Sequence, residues 1–156
     1  MDLNITHFLK RNARVIEMQC DGISHEASLT QSSANINCLN WTVGHIVVSR
    51  NDMIEALGGD RIAIDLAAYE RESEPITGPG PGVVELDALL DGLRSTQARL
   101  EELTTGLDSA GWAATDGDDP KRTLADRIGF LYFHDTYHTG QTDLLRQISG
   151  ANDKVI

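Results

Sequence analysis

Two histidines, His134 and His138, lie four residues apart in the last and longest helix that the sequence predicts. Side chains at positions i and i+4 of an α-helix share one face, with Cβ atoms about 5–6 Å apart. Two neutral imidazoles at that spacing can both reach one divalent ion through bonds of about 2.0–2.1 Å. The other members of their stripe are apolar and recur at helical spacing: Ile128, Leu131, Leu145 and Ile148. The pattern therefore predicts two imidazoles that point into a core and bind the same metal ion.

Such a pair needs a third ligand from another helix, and the chain has only three more histidines. His7 falls off the apolar stripe of the first predicted helix, and His25 lies in a polar connection where we expect a surface residue. His45 lies in the second predicted helix on the same inward face as Trp41 and Val48. A lone histidine on such a face is usually a hydrogen-bonded core residue, so the ligand role follows only from the pair in the last helix. We choose His45 as the third ligand.

Composition narrows the class of protein. A chain of 156 residues suffices for a single domain, residues 1–156, with one sizeable core. A net charge of −11 without a Lys/Arg cluster argues against nucleic acid and anionic membranes as partners. No signal peptide or membrane span is evident in the sequence. Because Cys20 and Cys38 lack C-x-x-C spacing, we expect two buried thiols in a cytoplasmic protein.

Apolar periodicity predicts four helices and no strand of useful length. The predicted helices cover roughly residues 3–20, 41–57 with Asn40 as the N-cap, 84–105, and 123–149 with a capping-box-like start at Thr123. The sequence therefore predicts an all-α fold, a four-helix bundle.

Residues 58–82 form a long link between the second and third predicted helices. A short helix is predicted within it at Ile62–Tyr69, and its Gly/Pro-rich end, residues 77–82, cannot be helical. Links in up-and-down bundles are usually about 2–8 residues long, so this one fits a crossover that returns the chain to the other end of the bundle. The alternative is a lid over a site.

The sequence suggests roles for several charged residues in or near these helices. Asp52 is predicted either to line the cavity or to solvate the end of the second helix, and we favour the second role. We expect Asp135 to stay outside the metal ligands. The aspartates of residues 116–119 lack the EF-hand pattern, so they predict a turn. Arg127 lies two turns before His134 and is either a surface residue or a cation that attracts an anionic ligand to the site.

Two motifs together carry a family resemblance: N-W-T-V-G-H ending at His45, and H-x-x-x-H-T-G-Q from His134 to Gln141. With both, the chain resembles the DinB-like, or YfiT-like, superfamily of metal-dependent four-helix-bundle proteins over essentially its whole length. The resemblance implies a homodimer and a site in which His45, His134 and His138 hold one divalent ion. Zn²⁺ or Ni²⁺ is expected, since imidazole suits both.

The resemblance also implies a chemistry, because relatives in this superfamily include thiol-dependent S-transferases and a thiol-dependent isomerase. The implied activity is a metal-dependent thiol transferase or thiol-assisted isomerase that takes a small thiol and an electrophilic substrate. Three protein ligands leave one position open on a four-coordinate ion, as in catalytic zinc sites. A hydrolase that uses hydroxide at that position is one alternative. A non-enzymatic metal-binding or structural bundle is the other.

Three further residues are pocket candidates, although none is assigned a catalytic role. Trp41 shares the face of His45, and Tyr137 and Gln141 flank the histidine pair on the last helix. Gln141 is predicted either to hydrogen-bond a metal-bound water or substrate, or to orient a helix carbonyl.

Overall fold

The structure, a computed structural model, describes residues 5–32, 36–153 and 155. Within these residues, six α-helices and one 3₁₀ turn follow in chain order: α1 (Ile5–Cys20), α2 (His25–Ser28), α3 (Leu39–Ala56), the 3₁₀ turn (Ala67–Tyr69), α4 (Leu86–Thr104), α5 (Ser109–Trp112) and α6 (Leu124–Ile148). The all-α prediction is confirmed, and the four long helices match the four predicted ones. The predicted first two residues of α1, residues 3 and 4, lie outside the described part of the chain.

The four long helices form a bundle in which α1 and α3 each pack against both α4 and α6. Helix α3 is enclosed almost completely, because every residue of Leu39–Asn51 is buried. One apolar cluster surrounds the first half of α3, and a second one, with Met53, Leu100 and Ile128, fills the other end. Among the described helices, none has the length and apolar character needed to cross a membrane. His45 therefore lies on α3, the most enclosed of the four long helices.

Helix α3 begins two residues earlier than predicted, and the predicted N-cap is wrong. Cys38 caps the helix, because its Sγ accepts a hydrogen bond from the backbone N–H of Trp41 at 3.5 Å. Asn40, the predicted cap, lies inside the first turn and donates its side-chain amide to the carbonyl of Val84 at 3.0 Å. The residue with the stronger capping preference is therefore used for a contact with a distant segment.

Tyr69, in the link between α3 and α4, is buried against α3. The predicted helix at Ile62–Tyr69 is wrong, since only the 3₁₀ turn forms there. Tyr69 is fully buried, and its hydroxyl donates to Asn40 Oδ1 at 2.8 Å and accepts from the N–H of Val84 at 2.7 Å. Its ring lies so close to α3 that a Cβ at Gly44 would be 2.1 Å from Tyr69 Cδ1. Only glycine at position 44 admits this contact.

Helix α6 begins as the sequence predicts. Thr123 is its N-cap, and Thr123 and Asp126 exchange the two hydrogen bonds of a capping box. His25, in contrast, is not the surface residue that we expected. It is half-buried at the start of α2, and its Nδ1 accepts from the backbone N–H of Leu86 at 3.3 Å.

Candidate metal centre

The packing of α3 against α6 brings the three predicted ligands together. The ring centroid of His45 lies 5.0 Å from that of His134 and 5.0 Å from that of His138, and the two α6 rings are 4.5 Å apart. One ring nitrogen of each histidine lies within 4.8 Å of the other two. His45 is buried and the other two are half-buried.

Each of the three imidazoles is held through its Nδ1 atom. His45 Nδ1 donates to the carbonyl oxygen of Tyr69 at 2.8 Å, and His138 Nδ1 donates to Gln141 Oε1 at 2.7 Å. His134 Nδ1 lies 3.2 Å from the hydroxyl of Ser49, which can accept from it. Because a carbonyl or amide oxygen can only accept, His45 and His138 have their proton on Nδ1 and keep a lone pair on Nε2, as in known metal sites.

The distance between His134 Nε2 and His138 Nε2 is 3.1 Å. Two ligands at about 2.0–2.1 Å from a tetrahedral ion are separated by roughly 3.3 Å, so the pair already has nearly the spacing that one ion requires. The imidazole nitrogens therefore form a donor set that fits a divalent ion.

Both α6 histidines are poised to be neutral at pH 7. Burial lowers the pKa of His134 to about 4, and the neighbouring imidazoles of His138 and His45 add to the effect. Burial also lowers the pKa of His138, although its hydrogen bond to Gln141 opposes the shift. Neutral imidazoles have free lone pairs, so protons do not compete with a metal ion near neutral pH.

The histidines open onto a pocket of about 890 Å³, which lies between α3, α6 and the link. The α6 side of the pocket is apolar and accessible: Phe130, Phe133 and Tyr137 are 57–64% exposed. His134 and His138, which were predicted to point into a core, are half-buried and face this pocket. The neighbouring aromatic side chains on α6 are exposed at its opening.

The three pocket candidates all line this opening. The indole of Trp41 stacks on the His45 ring, with centroids 4.5 Å apart and planes 15° apart, and its Nε1 donates to Ser73 Oγ of the link at 3.1 Å. Tyr137 packs edge-on against His138, at 5.2 Å between centroids. Gln141 holds Nδ1 of His138, which is neither of the two roles that the sequence suggested for it.

Two charged residues have other roles than expected. Asp52 lines the pocket instead of merely solvating the helix end, and its Oδ1 accepts from Arg61 at 2.5 Å. Arg127 is not among the residues that line the pocket. It pairs with Asp116 at 3.0 Å and with Asp118, so it stabilises the turn before α6, and its suggested role in attracting an anion is wrong.

A buried ion pair behind the site was missed by the sequence analysis. Arg50 and Asp135 are both fully buried, with 2.7 Å between Nε and Oδ2. Asn12 donates to the other carboxylate oxygen at 2.8 Å, and Arg50 donates to the carbonyl of Leu9 at 2.9 Å. The network joins α1, α3 and α6 directly beside His134. An arginine shortly after the apolar run Ile46–Val48 was the available signal, because a buried charge requires a partner.

A bundle of long helices with three imidazoles converging on one point defines a class, the helical bundles with a candidate metal site. The chain belongs to the DinB superfamily, which it matches over residues 9–142, a range that includes all three histidines. No curated protein matches it.

Proposed function

We propose that this chain binds one divalent ion, Zn²⁺ or Ni²⁺, through His45, His134 and His138, and uses it to transfer a small thiol to an electrophilic carbon. The reaction class is a metal-dependent thiol transferase or, where the thiol is later released, a thiol-assisted isomerase. The observation that carries the proposal is the pocket of about 890 Å³, onto which the three ligands open. A closed structural site would have its fourth ligand from the protein.

The pocket is large enough for two small molecules, since ligand sites usually measure about 300–1,000 Å³. When bound, a divalent ion would lower the pKa of a thiol in the open coordination position. The sulfur would then form a bond to the electrophilic carbon while the leaving group departs with its electron pair and takes up a proton. The chain's own contribution is to hold the imidazoles and to bind the electrophile on the apolar wall made by Phe130 and Phe133.

The nucleophilic thiol has to come from outside the chain. Cys20 and Cys38 are both buried and unpaired, and neither lines the pocket. Burial raises the pKa of Cys20 to about 12 and raises that of Cys38 as well, so neither is a thiolate near pH 7. Inert, reduced cysteines are typical of the cytoplasm, and we propose that the protein acts there.

The test is a panel of thiols offered to the metal-loaded protein. Glutathione, bacillithiol, mycothiol and cysteine are each incubated with a chromogenic aryl halide, and thiol consumption is followed with and without metal. We expect consumption that requires the metal and is lost in His45→Ala. The matched control is His7→Ala, which removes an exposed histidine of α1 that does not line the pocket and should keep the wild-type rate.

Two outcomes would overturn the proposal. Consumption that does not change when the metal is removed, or when His45 is replaced, would show that the site takes no part. Metal-dependent ester or amide hydrolysis in the absence of any thiol would instead support the hydrolase alternative.

A further inference from the structure

One cationic side chain in the pocket forms no ion pair with another described residue. Among the described residues, Arg71 is the only arginine or lysine that lines it, together with the acidic residues Asp52 and Glu70. Both acids pair with the guanidinium of Arg61, whose nitrogens lie 2.5 Å from Asp52 Oδ1 and 3.8 Å from Glu70 Oε1. No carboxylate among the described residues forms an ion pair with Arg71, whereas Arg61, Arg94 and Arg127 each pair with two or more.

Arg71 is held beside the metal ligands by the link that carries it. It follows Tyr69 by two residues, and the carbonyl of Tyr69 accepts the hydrogen bond from His45 Nδ1 at 2.8 Å. The buried Tyr69 side chain fixes this part of the link to α3. Arg71 lines the same pocket as the three histidines.

This arrangement matters because the protein as a whole repels anions. The chain has a net charge of −11, and an anionic ligand therefore gains nothing from the overall field. A guanidinium without a protein partner presents a planar fork of N–H donors that matches a carboxylate with two parallel hydrogen bonds. The two acids of the pocket pair with Arg61 and not with Arg71, so the donors of Arg71 remain available to a ligand.

We propose that Arg71 binds a carboxylate on the thiol that enters the open metal position, which makes the site selective for carboxylate-bearing thiols over neutral ones. The inference rests on the proposed function, since it takes a thiol to be the ligand of the open position. It assigns to Arg71 the role that the sequence suggested for Arg127. Arg71 acts as a specificity residue, and thiols without a carboxylate should still bind, more weakly.

The test compares two thiols of equal length on the Co²⁺-loaded protein: 3-mercaptopropionate and 3-mercapto-1-propanol. Coordination is followed by the sulfur-to-cobalt charge-transfer band, and total binding by calorimetry. We expect the wild-type protein to prefer the carboxylate by about tenfold or more, as is usual for a hydrogen bond to a charged group. Arg71→Gln should remove this preference and leave the affinity for the neutral thiol unchanged.

The matched control is Arg14→Gln, which removes the same charge from an exposed residue of α1 that does not line the pocket. It should keep the preference, so that a loss in Arg71→Gln is not an effect of net charge. Both variants should keep the helical signal and the Co²⁺ content of the wild type, because both side chains are exposed.

Failure of this inference is distinguishable from failure of the proposed function. Equal affinity for the two thiols in the wild type, or a preference that survives in Arg71→Gln, overturns the role of Arg71 and leaves thiol coordination intact. If neither thiol produces the band, thiol coordination fails. Calorimetry then tests the anion site by itself. Binding of 3-mercaptopropionate that depends on Arg71 supports an anion site, and a lack of such binding overturns that site too.

Discussion

Each site histidine has a different partner for its Nδ1 atom: a backbone carbonyl for His45, a hydroxyl for His134 and a side-chain amide for His138. The three partners come from the link, from α3 and from α6 itself. Ligand orientation therefore depends on the whole neighbourhood and not on α6 alone. Partners of this kind usually change metal affinity by about 10–100-fold when they are removed.

Gln141→Ala tests this dependence at a single residue. We expect metal affinity to fall by roughly 10–100-fold, because His138 loses the acceptor that keeps its Nε2 unprotonated. Helix content should not fall, since alanine favours the helix. Competition with a chromophoric chelator measures the affinity.

Gln147→Ala is the matched control for this change. Gln147 is exposed on the same helix and donates only to Asp143, at 3.3 Å, far from the ligands in sequence. Its metal affinity should equal that of the wild type. If both variants bind metal as tightly as the wild type, Gln141 does not orient His138.

At the scale of the elements, α3 and the link form one unit through Gly44 and Tyr69. The N-W-x-x-G-H motif can now be explained residue by residue. Asn40 binds the Tyr69 hydroxyl, Trp41 stacks on the third histidine, Gly44 admits the Tyr69 ring, and His45 donates to the Tyr69 carbonyl. The motif positions the link as much as it supplies a ligand.

Gly44→Ala should therefore disturb both the fold and the site. The added Cβ would lie 2.1 Å from the Tyr69 ring, so the ring has to move and its hydrogen bonds are lost. We expect the free energy of unfolding to fall by roughly 1–3 kcal/mol and the metal affinity to fall with it. Urea unfolding and metal titration measure the two effects.

The control substitution is Gly129→Ala on α6, where no neighbouring heavy atom lies within 4 Å of an added Cβ. Helix propensity predicts a gain of up to about 1 kcal/mol there. A Gly44→Ala protein as stable as the Gly129→Ala protein would contradict the close packing of Tyr69 on α3.

The helices could be predicted from the sequence because apolar periodicity is a local property, and α6 is right even in its capping box. The three histidines could be grouped because two share a helix face and a family motif contains the third. The contacts between distant segments could not be predicted: Tyr69 on Gly44, Arg50 on Asp135, and Arg71 in the pocket. Each depends on how the link and the helices come together, and periodicity within one helix does not contain that information.

At the scale of the whole molecule, the bundle should not need the ion in order to fold. Its two apolar clusters and the buried Arg50–Asp135 pair are complete without a metal. His134→Ala and His138→Ala should thus abolish metal binding and keep the far-ultraviolet circular dichroism of the wild type, unlike a zinc finger. Loss of the helical signal in either variant would mean that the metal is structural, and the proposed open site would lose its support.

The family resemblance also predicts a homodimer. Multi-angle light scattering at micromolar concentration and physiological salt should give twice the chain mass of 17.0 kDa. Salt is needed because a net charge of −11 on each chain opposes association at low ionic strength. A mass of 17.0 kDa under these conditions would refute the prediction.

The central claim is that His45, His134 and His138 together hold one divalent ion. Elemental analysis of the protein, purified without a histidine tag, tests it most directly. We expect close to one Zn²⁺ or Ni²⁺ per chain in the wild type and in His7→Ala, and almost none when any of the three ligands is replaced by alanine. Wild-type protein that carries no near-stoichiometric metal, and takes up none on titration with divalent ions, would contradict the account.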